Sequence, residues 1–152
     1  MNDDQALIRR FQSKPLEQAR IQTSPLADAL GGRITGIDPA GNWIELSFEP
    51  GAFFFQAEQV IQGGATATML DFAMAFAALA VLPDGQSVTT VNLNISYLRA
   101  AKAGPLRALA EVERRGRTLI FTRARLLQDD DAPVATGTST LSVIAQRQTG
   151  AG

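Results

Sequence analysis

The chain has 152 residues, 45% of them hydrophobic and 19% charged, with a formal net charge of -1. That suits one domain with a full core and offers no cationic surplus for nucleic acid. Cysteine and histidine are both absent, which excludes disulfides, thiol nucleophiles, thiolate metal sites and imidazole bases, and disfavours zinc hydrolases and ordinary serine or cysteine hydrolases. Any chemistry must run on carboxylates, hydroxyls, amides and the backbone.

The N-terminus carries Asp3 and Asp4 ahead of any apolar run, the reverse of a secretory signal. The longest uninterrupted apolar run, Phe72 to Leu82, is about half of the ~20 residues that cross a bilayer. A soluble, cytoplasmic protein is expected. Residues from about Gln5 to Gln22 mix Leu7, Ile8, Phe11 and Leu16 with charges and are interrupted by Pro15, so they read as a short amphipathic helix or arm. A second short helix is expected from Ser24-Pro25, where serine caps and proline suits the first turn, to Gly31-Gly32. Ile34–Ile37 and Trp43–Phe48 flank a turn-forming cluster, Asp38 to Asn42, and read as a hairpin. Phe53, Phe54 and Phe55 form an aromatic cluster expected to join the core.

The segment after Gly63-Gly64 is too long and too alanine-rich for a strand and reads as one wholly buried helix ending before Pro83. From Ser87 the pattern alternates, with Val91, Leu93, Ile95 and Tyr97 on one face and Thr90, Asn92, Asn94 and Ser96 on the other. Leu106–Glu113, Thr118–Leu127 and Pro133–Ile144 supply three more strands, separated by turns at Arg114–Arg117 and Gln128–Ala132. The expected class is α+β, an antiparallel β-sheet wrapped around one long central α-helix, with short N-terminal helical segments. The expected organisation is an N-terminal arm over 1–24, one domain over 25–146 and a polar tail over 147–152. An open sheet has an edge to manage, and two-fold pairing of edge strands is one solution.

Asp71 is the only charged residue between Glu58 and Asp84. A carboxylate inside an apolar helix is costly unless paired or hydrogen-bonded, so it marks either a structural cap or a site. Gly63 and Gly64 at the helix start permit close backbone approach where unpaired amides favour negative charge; the pair suits an oxyanion hole or simply tight helix packing.

These residues resemble the hotdog-fold acyl-coenzyme A thioesterases of the phenylacetic-acid-degradation (PaaI-type) family over roughly Pro25 to Ala145. The family's helix opens with His-Gly-Gly and carries an acid seven positions after the second glycine, matched here by Gly63, Gly64 and Asp71. Thr90-Val-Asn-Leu-Asn-Ile-Ser-Tyr97 is similar to the family's run on the following strand. Gln62 stands where the family usually has histidine, which is credited with positioning.

The resemblance implies an enzyme that hydrolyses an acyl-coenzyme A thioester. Asp71 would be general base or nucleophile, the Gly63 amide the oxyanion donor, and Gln56 and Thr90 would orient water and acid. Gln62, Gly64, Arg99, Lys102, Arg115 and Arg117, with Arg114 nearby, would contact substrate, the cations meeting the phosphates. No metal and no cofactor beyond the substrate's own coenzyme A is implied. Gly64 and Asp71 stand about 10 Å apart along one helix, so the resemblance implies a homodimer in which Asp71 of one subunit meets Gly63 of the other, with dimers pairing further into a homotetramer. A non-catalytic acyl-coenzyme A-binding module is the competing expectation.

Overall fold

The computed structural model describes residues 1–14, 18–129 and 131–146. Pro15 and Leu16, Asp130 within the expected 128–132 turn, and the expected tail over 147–152 lie outside the described residues.

Helix α1 (Asp3–Ser13) starts two residues earlier than its apolar pattern suggests, because Asn2 and Gln5 form a reciprocal capping box. Its Leu7, Ile8 and Phe11 are buried in the main core. A two-residue strand β1 (Ala19–Arg20) then pairs with β2, so the N-terminal segment adds an edge to the sheet. Helix α2 (Pro25–Ala29) is capped by Ser24 and begins with proline. Strands β2 (Arg33–Ile37) and β3 (Trp43–Phe48) form the expected hairpin. Its turn closes through Asp38, whose carboxylate accepts from the Asn42 backbone at 3.1 Å and side chain at 2.8 Å, and Gly41 takes φ +77° there.

Helix α3 (Gly63–Val81) is followed by β4 (Gln86–Tyr97), β5 (Leu106–Arg115), β6 (Leu119–Gln128) and β7 (Ala132–Ala145). Seven antiparallel strands run in the order β1-β2-β3-β5-β6-β7-β4 and wrap α3. By length and composition α3 would suit a bilayer, yet its Met69, Leu70, Met74 and Phe76 are buried against the sheet. Alanines at 108, 110 and 124, all buried on the sheet's inner face, leave room for that helix.

Four expectations change. Arg114 and Arg115 continue strand β5, so the β5–β6 turn is shorter than the arginine-rich sequence suggests and closes through Gly116 N–H to the Leu119 carbonyl at 2.7 Å. Phe53 is 92% exposed and meets Phe54 edge to face at 5.3 Å, while Phe54 and Phe55 pack on the core. Helix α3 is not wholly buried: Gly64, Ala67, Thr68, Asp71, Phe72 and Ala75 form a stripe that the protomer leaves partly uncovered.

Finally, the alternation along β4 breaks at Val91. The register with β7 slips between Thr90 and Asn92, and Val91, 60% exposed, is the bulged residue. The bulge reverses the side-chain phase, so Val88 and Thr90 face the helix together with Leu93, Ile95 and Tyr97.

The C-terminal end of α3 is tied down by α1. Arg9 donates to the Ala80 carbonyl at 3.0 Å and the Leu82 carbonyl at 2.8 Å, satisfying the last turn with a cation where the helix dipole favours one. Buried Gln5 donates to the Pro83 carbonyl at 3.3 Å. Because α3 is the common core element, Leu70→Ala, at a fully buried position, lowers the unfolding free energy by about 2–5 kcal/mol, read from urea denaturation at unchanged slope.

Candidate active site

Two features of α3 concentrate polar chemistry: its first turn and the middle of its uncovered stripe. At the first turn, Gln62 is the N-cap. Its side-chain oxygen accepts from Gly64 N–H at 2.5 Å and Ala65 N–H at 3.3 Å, and its main-chain carbonyl accepts from Ala65 and Thr66. The amide expected to touch substrate is thus committed to the helix. A Cβ on Gly64 would lie 2.8 Å from that oxygen, so a larger residue there would push the Gln62 cap aside.

Gly63 is the first helical residue. Its N–H has no carbonyl within the helix to donate to and no hydrogen-bond partner elsewhere among the described residues. Its carbonyl accepts from the Tyr97 hydroxyl at 2.6 Å, and the Tyr97 ring lies against its Cα, 3.4–3.5 Å from where a Cβ would stand.

The Gly63 turn borders a cleft of about 330 Å³ lined by Gln56, Thr66, Tyr97, Leu98 and Arg99 among others. Gln56 enters because the loop before α3 folds back on itself: Gln56 N–H donates to the Val60 carbonyl at 2.8 Å, and Gln62 N–H to the Phe54 carbonyl at 2.8 Å. Glu58 and Gln59 take positive φ in this tight loop. Arg99 reaches the Ala132 carbonyl at 2.8 Å and still lines the cleft. Lys102 lies on the neighbouring segment, which pairs with Val60 and is bonded at both N–H and C=O by Gln128, with its side chain exposed.

Asp71 lies eight residues further along α3, about 12 Å by helical rise, and does not line that cleft. It is half-buried, and Thr90 Oγ1 donates to its carboxylate at 3.0 Å. Thr90 reaches Asp71 only because the Val91 bulge turns it toward the helix. Strand β4 runs back along α3, so Thr90 meets Asp71 while Tyr97 meets Gly63.

The structure therefore brings Gly63, Gln56 and Arg99 together, and Asp71 with Thr90, but keeps the two groups apart within one protomer. It also divides the arginines expected to share one rim. Arg115 and Arg117 line a separate cleft of about 330 Å³ beside Leu82 and Pro83, at the other end of α3 from Gly63, and Arg114 is exposed on the same strand end. A larger cleft, about 790 Å³, is on the outer face of the sheet by Trp43, Leu109 and the Glu111–Arg123 pair, and none of the expected site residues lines it. No group of His, Cys, Asp or Glu suited to a metal occurs among the described residues. Tyr97 is the site residue that sequence reasoning missed; it was visible as part of the Thr90–Tyr97 run, but its hydroxyl's partner was not.

Comparison with known proteins bears on this arrangement. A Mycobacterium tuberculosis protein that is an esterase by name is 30% identical over 118 residues, 76% of this chain and 83% of its own length. The phenylacetic acid degradation-related protein of Ralstonia eutropha JMP134, a thioesterase by name, superposes with a TM-score of 0.75 at 34% identity over 90% of this chain and 98% of that one. A Bacillus halodurans protein solved with CoA superposes with a TM-score of 0.63 at 34% identity, covering 66% of each chain. Residues 58–135 match the thioesterase superfamily. That stretch runs from the loop before α3, through the helix bearing Gly63 and Asp71 and the strands that wrap it, into β7, and by it the chain belongs to the thioesterase superfamily.

Proposed function

We propose that the protein is an acyl-coenzyme A thioesterase that works as a dimer, with Gly63 of one subunit facing Asp71 of the other. The observation that carries this reading is the uncovered stripe on α3. Gly63 and Asp71 lie on either side of Ala67, each about four residues or 6 Å from it. An antiparallel pair of α3 helices crossing at Ala67 therefore sets each Gly63 opposite an Asp71. Gly64, Ala67 and Thr68 are small enough for close approach, and β4, the last strand of the sheet, presents an unpaired edge with Val91 and Tyr97 exposed beside that stripe.

In that arrangement the thioester carbonyl oxygen points at the Gly63 N–H, which has no other partner, and the helix N-terminus favours the negative charge that develops there. Thr90 holds the Asp71 carboxylate from the strand side. As general base, Asp71 takes a proton from water while the water oxygen bonds to the carbonyl carbon; the C–S bond then breaks, and the coenzyme A sulfur leaves as thiolate and is protonated. As nucleophile, its oxygen bonds to the carbonyl carbon, expels the thiolate and leaves an anhydride that water cleaves. Gln56, in the Gly63 cleft, orients the water or the thioester.

The cations take the nucleotide end of the substrate. Arg99 and Lys102 flank the Gly63 cleft. In the antiparallel pair, Arg115 and Arg117 come from the subunit that supplies Asp71, displaced by about 16 Å along α3, so a phosphate group at the far end of a pantetheine arm is within their range. The Bacillus halodurans structure with CoA supports this ligand class.

The competing reading, a binding module without turnover, draws on Gln62, which spends its side chain on capping the helix. Asp71→Asn separates the two, because it keeps shape and removes charge. Thiol release from aromatic and aliphatic acyl-coenzyme A esters falls about a hundredfold or more in this variant if Asp71 is the base or nucleophile, and the protein adds no thiol background, having no cysteine. Native protein that releases no thiol, yet melts at higher temperature with an acyl-coenzyme A, is a binding module.

Two further outcomes test the assembly. Ala67→Arg places a long cation at the two-fold crossing; it yields a monomer by light scattering and loses thiol release. Arg115→Ala with Arg117→Ala raises KM roughly tenfold, about 1.4 kcal/mol of binding, and leaves kcat near that of the native protein.

A further inference from the structure

We infer that Tyr97 is a positioning residue for the oxyanion donor, clamping the Gly63–Gly64 peptide together with Gln62. The inference rests on the hydrolase reading above and deepens it.

Two adjacent glycines at a helix start are the least restrained pair the chain could place there, and the first turn of a helix lacks internal partners for its N–H groups. An oxyanion donor contributes only if its direction is set before charge develops. The structure supplies that restraint from outside the helix. On one side of the Gly63–Gly64 peptide, Gly64 N–H donates to the Gln62 side-chain oxygen at 2.5 Å; on the other, Gly63 C=O accepts from the Tyr97 hydroxyl at 2.6 Å. The preceding peptide, which carries the Gly63 N–H itself, is held by its carbonyl through Ala65 at 3.0 Å and Thr66 at 3.2 Å. Gly63 N–H is thus the free donor of one held peptide plane, and the Gly63 Cα joins that plane to a second held one.

Tyr97 contributes from a different element. It closes β4, and the Val91 bulge that turns Thr90 toward Asp71 also sets the phase that turns Tyr97 toward Gly63. Its ring packs on the Gly63 Cα and lines the same cleft as Gln56. One strand therefore positions both halves of the proposed chemistry, the acid through Thr90 and the oxyanion donor through Tyr97. Phenylalanine at 97 would keep the ring and lose only the restraint on the carbonyl.

The test is Tyr97→Phe, followed by steady-state thiol release and by NMR amide exchange of Gly64 and Ala65. The expected result is a kcat lower by roughly tenfold, part of the 10²–10³ that loss of an oxyanion donor costs, with KM for the acyl-coenzyme A and the melting temperature near those of the native protein, and faster exchange at Gly64. Unchanged exchange overturns the clamp. Faster exchange with unchanged kcat overturns the positioning role, as does a raised KM at unchanged kcat, which describes a substrate contact instead. Native protein that releases no thiol refutes the hydrolase reading and the positioning role with it, while the exchange comparison still shows whether the clamp exists.

Discussion

The structure depends on one constraint: α3 is a long helix almost without polar side chains, and it must be kept from water. The curved sheet covers most of its circumference, packing Met69, Leu70, Met74 and Phe76 against the inner faces of the strands, and burial of one such side chain stabilises by about 1.5–3 kcal/mol. A single sheet cannot close around a helix completely. The remaining gap is the stripe from Gly64 to Ala75, and the one carboxylate in the helix lies in it. Half-buried there and bonded by Thr90, Asp71 escapes the full desolvation penalty that complete burial would impose on a lone charge. The place where the fold is incomplete and the place where a carboxylate is tolerated are the same.

The two ends of α3 are finished in opposite ways. At the C-terminal end, Arg9 bonds the carbonyls of Ala80 and Leu82. At the N-terminal end, Gln62 satisfies Gly64 and Ala65 but leaves Gly63 N–H without a partner, on a residue that lines a cleft. An N–H left open at a helix start is available to a ligand. The same asymmetry shows what glutamine achieves at position 62: its length lets it return to its own helix as a cap, which orders the first turn.

Much of the architecture was legible from local pattern. The capped start of α2, the Asp38–Asn42 turn and the strand order along the chain follow from serine, proline, glycine and the alternation of apolar residues, which act over a few positions. Asp71 stood out because it interrupts an apolar run, and the pair Gly63-Gly64 because it permits close backbone approach at a helix start. The misreadings each arose where a non-local partner decided. Strict alternation set Thr90 opposite Leu93, but a bulge against β7 brought both to the helix. Phe53 is apolar yet 92% exposed because its loop turns it away. The arginines near 99 and near 115 share a composition and lie at opposite ends of α3.

By itself, the sequence bounded the class of chemistry: without cysteine or histidine, only carboxylates, hydroxyls, amides and the backbone were left to carry any. It also determined that one apolar helix would be wrapped by a long antiparallel sheet, because periodicity and turn residues are local properties. Only the tertiary structure decided which side chains those groups meet. Thr90 on Asp71 and Tyr97 on Gly63 arise from the register of β4 against β7 and from the way that strand crosses the helix. Hydrogen bonds of about 3 Å depend on that crossing to within fractions of an ångström, and residue type and spacing along the chain do not encode it.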